Sequence, residues 1–214
     1  MKKMIGLFLF AFMAVISLKL CVAEAVEAND DTIDVETPEL CSGSTGAILI
    51  ETSTNKILYQ KEKDRRLSPA SMTKIMTLLL IYEALDSNQI TKDTKLTITE
   101  ESTKVEGSKA FLSIGEEITV DELLKCICIA SANDAALAMA SHLAGSEAEF
   151  VKKMNDKVSE LGLKNTHFND CTGLSSQNHY TSAYDLAMIS DELIEKPKKK
   201  YEAPSSGLTI TISL

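Results

Sequence analysis

A predominantly apolar run at residues 75–85 gives the chain its most distinctive pattern. Its hydrophobic positions cover nearly every side of a helix, which is typical of a helix in the middle of a domain. The segment before it, 68–74, has the features of a helix start. Ser68 is a suitable N-cap, and Pro69 at the first helical position loses an N–H that would have no partner there. We therefore predict a rigid, buried helix with a firmly held first turn.

Shorter patterns predict the other elements and an α+β or three-layer domain. Alternating or β-rich runs predict strands at 46–51, 56–60, 96–99 and 209–213, of which the first two form a hairpin. The pattern at 107–118 predicts short strands and turns. Helical spacing with caps and terminal glycines predicts helices at 119–130, 134–144, 147–161 and 181–194. Because strands come first and several helices follow, the order favours α+β. The strand at 209–213 needs a partner strand elsewhere.

The start of the chain, residues 1–23, has the organisation of a signal peptide. Two lysines precede an apolar core at 4–18, and small residues follow at Ala23 and Ala25, where cleavage is expected. The apolar core is short for a membrane span. A membrane anchor that stays attached is the alternative interpretation.

An acidic spacer is predicted at 24–41, followed by a folded domain at 42–195 and a divergent tail at 196–214. The stretch from Glu24 to Leu40 holds seven carboxylates and no basic residue, so we expect it to be solvated and disordered. It accounts for much of the net charge of −9. Since no basic patch interleaved with aromatic residues occurs, we do not expect nucleic acid as a partner.

Ser71 and Lys74 lie on the predicted first turn of the buried helix. Residues three apart share a helix face, so the two side chains can meet. A serine hydroxyl becomes a good nucleophile when a base removes its proton, and a lysine can do this if burial lowers its pKa. The free N–H groups and the positive dipole of a helix start also favour an anion near Ser71. The alternative is an ordinary polar first turn with an exposed lysine.

Ser131-Ala132-Asn133 lies at the junction of two predicted helices, where side chains can converge. Ser131 could pass a proton between Ser71 and a leaving group, and the amide of Asn133 could hold a substrate amide. The alternative is that Asn133 caps the second helix.

Taken together, these motifs resemble the penicillin-recognising serine enzymes. Ser71-Met-Thr-Lys74 and Ser131-Ala-Asn133 are similar to their first two motifs. The sequence at 179–187 narrows the resemblance to the D-alanyl-D-alanine carboxypeptidases, the low-molecular-mass penicillin-binding proteins. The resemblance covers about 42–195. It implies a β-lactamase/transpeptidase-like α+β fold, with a helical cluster packed on an antiparallel sheet and the C-terminal strands incomplete.

The resemblance also implies a role for each motif residue. Ser71 would attack the carbonyl between the two terminal D-alanines of a peptidoglycan stem peptide and form an acyl-enzyme. Lys74 would be the general base, Ser131 would pass the proton to the departing D-alanine, and Asn133 would bind the peptide amide. Water would then release the shortened peptide, and β-lactam antibiotics would acylate Ser71 as inhibitors. The expected location is the extracytoplasmic face of the cytoplasmic membrane or the cell wall.

The chain departs from the family pattern because it contains no Lys-Thr-Gly. In the family, that motif anchors the substrate carboxylate, and its strand supplies one oxyanion donor worth about 3 kcal/mol of barrier by analogy with other oxyanion holes. We therefore expect a truncated or frameshifted product that is largely inactive, meeting the membrane through the signal peptide or a missing C-terminal anchor. The alternatives are a class A-like β-lactamase, although no Glu-x-x-Leu-Asn segment follows Asn133, and a non-catalytic cell-wall-binding remnant.

The cysteines and histidines predict no further chemistry. Cys126 and Cys128 point to different faces of one helix and, with Cys41 and Cys171, fit no zinc spacing, so we expect free thiols, no metal and no cofactor. His142 is expected to be structural. His167 and His179 lack an accompanying Gly-x-Ser-x-Gly, so a Ser-His-Asp hydrolase is a weak rival.

Overall fold

The structure, a computed structural model, describes residues 40–174, 177–201 and 209–214. The predicted signal peptide and all but the last two residues of the acidic spacer lie outside the described residues. Within the described ranges, no helix has both the length and the apolar character needed to cross a membrane.

The described residues form five strands, one 3₁₀ turn and six α-helices. The strands are β1 (Ala47–Glu51), β2 (Lys56–Lys61), β3 (Lys95–Thr97), β4 (Glu117–Thr119) and β5 (Thr209–Ser213). A 3₁₀ turn at Ala70–Thr73 leads directly into the first α-helix. The helices are α1 (Lys74–Asp86), α2 (Glu100–Lys104), α3 (Val120–Ala130), α4 (Asn133–Ala144), α5 (Glu147–Glu160) and α6 (Ala183–Tyr201). The predicted order of strands and helices is thus largely confirmed.

The main sheet places β1 between β2 and β5, antiparallel to both. Ile48 pairs with Ile212 and Ile50 pairs with Ile210, and all four isoleucines are buried on one face. Alternation along a strand puts every second side chain on the same face, so this face packs against α6 through residues such as Leu186. The predicted final strand therefore finds its partner in the first strand of the hairpin.

Helix α1 lies between the sheet side of the domain and the helical cluster. It contacts α6 on one side and α4 and α5 on the other. Met76, Leu79 and Ile81 are fully buried, and the partly buried Ile75 packs against both hydrophobic clusters. The all-round apolar pattern of 75–85 is thus explained by neighbours on several sides, as predicted.

The predicted capping of this helix by Ser68 is wrong. The 3₁₀ turn is preceded by Pro69, has no side-chain cap, and begins at Ala70 with a φ of 47°. That left-handed conformation is unfavourable for alanine and requires support from other parts of the chain. Helix α3 does begin as predicted, because Thr119 and Glu122 form a reciprocal capping box.

Two other segments differ from the predicted pattern. In the region predicted as short strands and turns, 107–118, a strand forms only at the end, where 117–119 pairs with 95–97. The loop before this strand is held by the Asp134 carboxylate, which accepts hydrogen bonds from the backbone N–H groups of Ala110 and Leu112. Helix α6 continues past the expected end at Ile194 and includes the charged cluster 196–200. The hydrogen bonds from Ala110 and Leu112 to Asp134 join distant segments, so local pattern alone could not reveal them.

We expect Phe150→Ala to lower the free energy of unfolding by about 3–5 kcal/mol, because it leaves a cavity in the core. Phe150 is 0% exposed, whereas Phe111, the matched control, is 84% exposed. We expect Phe111→Ala to change stability by no more than about 0.5 kcal/mol. Urea unfolding of the two variants measures the difference, and similar losses in both would contradict this assignment of the core.

Candidate active site

The side chains of Ser71 and Lys74 meet at the entry to α1. Ser71 lies in the 3₁₀ turn and is exposed, whereas Lys74, the first residue of α1, is only 4% exposed. The Lys74 ammonium nitrogen lies 3.5 Å from the Ser71 hydroxyl oxygen and donates a hydrogen bond of 2.9 Å to the carbonyl oxygen of Thr172. A reachable hydroxyl is therefore paired with a buried amine.

The protonation of Lys74 is shifted by its surroundings. Burial is the largest influence and lowers the pKa of the Lys74 amine from its ordinary value, while the nearby Cys171 and Asp170 act in the opposite direction. Burial disfavours the charged ammonium because charge is poorly solvated there. Since the pKa is lowered, the neutral amine is available at lower pH than in an exposed lysine. A neutral amine is the form that can accept the proton of a serine hydroxyl.

Polar side chains from the 3₁₀ turn and α1 bind a loop that comes about a hundred positions later in the chain. Besides the Lys74 contact, the Thr77 hydroxyl donates to the Cys171 carbonyl at 2.7 Å, and Thr73 Oγ1 lies 2.8 Å from Nε2 of His179. These contacts pin the start of α1 to Cys171, Thr172 and His179. The orientation of the Lys74 amine is thus set by another segment rather than by its own helix.

This loop is itself held by two carboxylates. Asp170 accepts hydrogen bonds from the backbone N–H and the hydroxyl of Thr172, at 2.7 and 3.1 Å. Glu147, in the first turn of α5, accepts from the backbone N–H of Cys171 at 3.1 Å. Charge-assisted hydrogen bonds of this kind are stronger than neutral ones. The Thr172 carbonyl that accepts the hydrogen bond from Lys74 is therefore held firmly in place.

Gly173 allows the loop to approach the 3₁₀ turn closely. Its φ is +92°, and a Cβ at this position would lie 1.8 Å from the carbonyl oxygen of Ala70 and 2.9 Å from Thr73 Oγ1. A side chain of any size is excluded at such distances, and the backbone conformation also favours glycine. The contact supports Ala70 in its left-handed conformation, immediately before Ser71.

The structure places Ser131 and Asn133 at the junction of α3 and α4. Ser131 ends α3 with a left-handed φ of 52°, and Asn133 is the first residue of α4. The prediction that Asn133 caps α4 is wrong. Ala132 holds the capping position, and the Asn133 amide nitrogen instead donates to the Glu106 carbonyl at 2.7 Å. The Asn133 amide therefore stabilises the loop at Glu106 rather than the N-terminus of α4.

The oxygen of the Asn133 amide lacks a hydrogen-bond partner within the described residues. Asn133 is 3% exposed, and its Oδ1 has no hydrogen-bond partner within the described part of the chain. A buried polar atom without a partner is costly and calls for an explanation. Because the nitrogen is occupied by Glu106, the oxygen is the atom free to accept a donor.

The two halves of the predicted site are linked through two loops, one at Gly107 and one at Gly173 and Leu174. A Cβ on Gly107 would lie 2.7 Å from the Asn133 amide nitrogen and 3.4 Å from the side chain of Leu174. Leu174 directly follows Gly173, which contacts the backbone of Ala70. A short path of contacts thus links the 131–133 junction to the turn that holds Ser71. Among the predicted site residues, Ser71 and Lys74 contact each other directly.

Thr172 is a partner of the lysine, and Gly173 and His179 are partners of the 3₁₀ turn, and none of these contacts was predicted from the sequence. The run from Asn169 to Gly173 has the composition of a turn, and that was the available signal. A turn signature shows that the chain reverses but gives no partner for the turn. These contacts form because α1 and this loop pack together in the folded chain.

The four described cysteines are free thiols, as predicted. Cys171 is buried, and burial is the main factor that raises the pKa of its thiol well above the ordinary value. Across residues 40–174, 177–201 and 209–214, no group of three His, Cys, Asp or Glu side chains could hold a metal ion.

We expect Gly173→Ala to destabilise the domain by at least about 2 kcal/mol more than Gly145→Ala, because the added methyl group collides with the Ala70 carbonyl. Gly145 is the matched control: its φ is +84°, similar to Gly173, but a Cβ there meets nothing within 4 Å. The control therefore carries only the backbone cost of about 1–2 kcal/mol. Urea unfolding compares the two variants, and equal destabilisation would show that the close approach does not exist.

Comparisons with known proteins agree with this arrangement. A family model described as D-alanyl-D-alanine carboxypeptidase matches residues 32–209. The chain is 53% identical over 167 residues to the D-alanyl-D-alanine carboxypeptidase DacF of Bacillus subtilis, covering 78% of this chain and 42% of that protein. It is 35% identical to DacA of Escherichia coli K12, covering 85% of this chain and 47% of the relative. The chain thus spans less than half the length of these two relatives.

Solved structures show the same likeness. Penicillin binding protein 5 from Haemophilus influenzae superposes with a TM-score of 0.73 at 33% identity, over 77% of this chain and 48% of that one. The Streptomyces K15 DD-transpeptidase superposes with a TM-score of 0.66 at 30% identity, over 71% of this chain and 61% of that one. The predicted α+β fold of the β-lactamase/transpeptidase type, with helices packed on an antiparallel sheet, is confirmed. The chain belongs to the D-alanyl-D-alanine carboxypeptidase family of serine peptidases.

Proposed function

We propose that this protein is a serine-type D-alanyl-D-alanine carboxypeptidase that removes the terminal D-alanine from peptidoglycan stem peptides through an acyl-enzyme on Ser71. The observation that carries the proposal is the exposed Ser71 hydroxyl 3.5 Å from the buried amine of Lys74. The family match supports it over the β-lactamase, and the Ser71–Lys74 contact supports it over a non-catalytic wall-binding protein. No cofactor takes part in the proposed reaction.

In the proposed acylation step, Lys74 accepts the proton of Ser71 as its oxygen attacks the carbonyl carbon. The hydrogen bond to the Thr172 carbonyl fixes one N–H of the Lys74 amine. The lone pair of the neutral amine is then available on the side of the nitrogen that faces Ser71. Burial keeps the amine in its neutral form at lower pH than usual. The N–H groups at the open end of the 3₁₀ turn favour the negative charge that develops beside Ser71.

Ser131 and Asn133 are assigned to the leaving group and to substrate binding. Ser131 passes the proton to the nitrogen of the departing D-alanine, and water then hydrolyses the ester on Ser71. The Asn133 Oδ1 atom accepts a hydrogen bond from an N–H of the stem peptide, which gives this buried oxygen the partner that it lacks in the described chain. β-Lactam antibiotics enter the same site and acylate Ser71.

The proposed chain organisation places this chemistry outside the cytoplasm. Residues 1–23 act as the signal peptide, 24–41 form the acidic spacer, 42–195 form the carboxypeptidase domain and 196–214 the divergent tail. Export to the cell wall or the outer face of the cytoplasmic membrane is supported by the lysines and apolar core at the N-terminus. It is also supported by the names of the relatives, which are carboxypeptidases and penicillin-binding proteins.

The missing Lys-Thr-Gly motif is expected to slow acylation rather than to remove the nucleophile. We therefore expect a penicillin to form a covalent adduct slowly on Ser71 of the chain, and Ser71→Ala to abolish it, because the substitution removes the nucleophilic oxygen. Intact-protein and peptide mass spectrometry identify the adduct, and release of D-alanine from a peptide ending in D-Ala-D-Ala is measured in parallel. Ser44→Ala, which removes a hydroxyl bonded to the Cys41 carbonyl, is the matched control and should label normally. An unlabelled wild-type chain, or an adduct that persists in Ser71→Ala, would refute the proposal.

We expect the rate of adduct formation to rise with pH as the Lys74 amine loses its proton, with a midpoint below that of an ordinary lysine. The sign follows from burial, which lowers the pKa of Lys74, so the basic form accumulates as the pH rises through that lowered value. Lys74→Arg should slow acylation by about 10²–10⁴-fold, since arginine stays protonated. Lys92→Arg, at an exposed lysine, is the control. A rate independent of pH would argue against Lys74 as the base.

A further inference from the structure

His179 is a buried histidine that bridges the loop at 167–180 and the 3₁₀ turn. The residue is 2% exposed, its side chain is fully buried, and each of its two ring nitrogens has its own partner. Nε2 lies 2.8 Å from the hydroxyl oxygen of Thr73, and Nδ1 accepts a hydrogen bond of 3.1 Å from the backbone N–H of Asn169. Loop and turn are therefore joined through a single imidazole ring.

These contacts determine which ring nitrogen carries the proton. A backbone N–H can only donate, so Nδ1 of His179 must present its lone pair to Asn169. In a neutral ring the proton then resides on Nε2, which donates to Thr73 Oγ1. The tautomer is thus fixed by the fold, and the direction of the bond between His179 and Thr73 follows from it.

The surroundings of His179 favour this neutral form. Burial lowers the pKa of the ring, and the nearby His167 lowers it further, while the Asp170 carboxylate, 3.9 Å from Nδ1, opposes both. The ring edge also packs against Phe168, at a centroid distance of 5.6 Å. Protonation would replace the acceptor at Nδ1 with a second donor and break the bond from Asn169.

Thr73 connects this ring to the reacting groups. It is buried, it lies between Ser71 and Lys74 in the chain, and it occupies the N-cap of α1 without forming a side-chain cap. Its hydroxyl oxygen instead accepts the hydrogen bond donated by Nε2–H of His179. The turn that presents Ser71 is thus anchored at Thr73 by His179 and at Lys74 by the Thr172 carbonyl, both from the same loop.

We propose that His179 is a positioning residue for acylation. The hydrogen bond that Nε2–H donates to Thr73 holds the 3₁₀ turn so that the Ser71 hydroxyl stays within reach of the Lys74 amine. The ring nitrogen faces Thr73 rather than Ser71, so His179 takes no proton from the nucleophile. The proposal rests on the proposed function of Ser71, but the tautomer and the turn anchor are measured without any turnover.

Two isosteric variants separate the two hydrogen bonds of the ring. Glutamine in His179→Gln places an amide N–H near the position of Nε2 and keeps the donation to Thr73, whereas His179→Asn places its amide oxygen near Nδ1 and keeps the bond from Asn169. We expect His179→Gln to retain the wild-type acylation rate within about threefold. We expect His179→Asn to lower the limiting acylation rate about tenfold, with little change in the penicillin concentration giving half the maximal rate, because misplaced reacting groups slow the chemical step.

A purely structural role would give a different result. The two variants would then acylate at rates that follow their stabilities in urea rather than the bond that each one keeps. Equal rates in His179→Gln and His179→Asn, or a faster His179→Asn, would overturn the proposal. Thr73→Val removes the acceptor of the same hydrogen bond. The fold-loss of acylation rate in the double variant Thr73→Val, His179→Asn should therefore be smaller than the product of the two single fold-losses.

A second readout does not depend on labelling. In ¹³C-lysine-labelled protein, the titration of Lys74 should be unchanged in His179→Gln and should move toward that of an ordinary exposed lysine in His179→Asn, because a loosened turn admits water to the amine. In ¹⁵N-histidine spectra, the wild-type ring should show the Nε2–H tautomer. Failure of the wild type to react with penicillin would refute the proposed function alone, whereas an Nδ1–H tautomer or an identical Lys74 titration in both variants would refute the positioning role.

Discussion

The site depends on the close approach of one loop to the turn that precedes a buried helix. Gly173 lies against the carbonyl of Ala70, whose left-handed backbone is unfavourable by itself. The same loop supplies the Thr172 carbonyl to Lys74 and the Cys171 carbonyl to Thr77. Turn and loop are thus complementary in shape and in hydrogen bonding. Helix α1, buried between the sheet side and the helical cluster, gives this contact a rigid base.

The buried lysine shows how the fold prepares the chemistry. A lysine at the start of an exposed helix would be charged and mobile, and it would make a poor base near neutral pH. Here the amine is surrounded by protein, bonded to a carbonyl and close to an exposed hydroxyl. The cost of burying the amine falls on its charged form, which makes the neutral form more accessible. Asp170 limits that shift and at the same time holds Thr172 in place.

Much of the fold could be predicted, because strong local patterns coincide with real elements. The hairpin, the buried helix at 75–85, the helix start at Thr119 and the final strand all follow from periodicity or from local start signals. Predictions failed where a neighbour outweighs the local preference. Ser68 does not cap a helix because tertiary contacts stabilise a 3₁₀ turn, and Asn133 does not cap α4 because its amide donates to Glu106.

The sequence by itself determined which residue types occur and which of them share a helix face, so Ser71 and Lys74 could be paired from their spacing. It also determined the motifs on which the family resemblance was based. Only the tertiary structure decided that Lys74 donates to a carbonyl 98 positions away, that Gly173 contacts Ala70, and that His179 binds Thr73 across 106 positions. The physical reason is that helix geometry fixes contacts three or four residues apart, whereas contacts between distant segments depend on how whole elements pack.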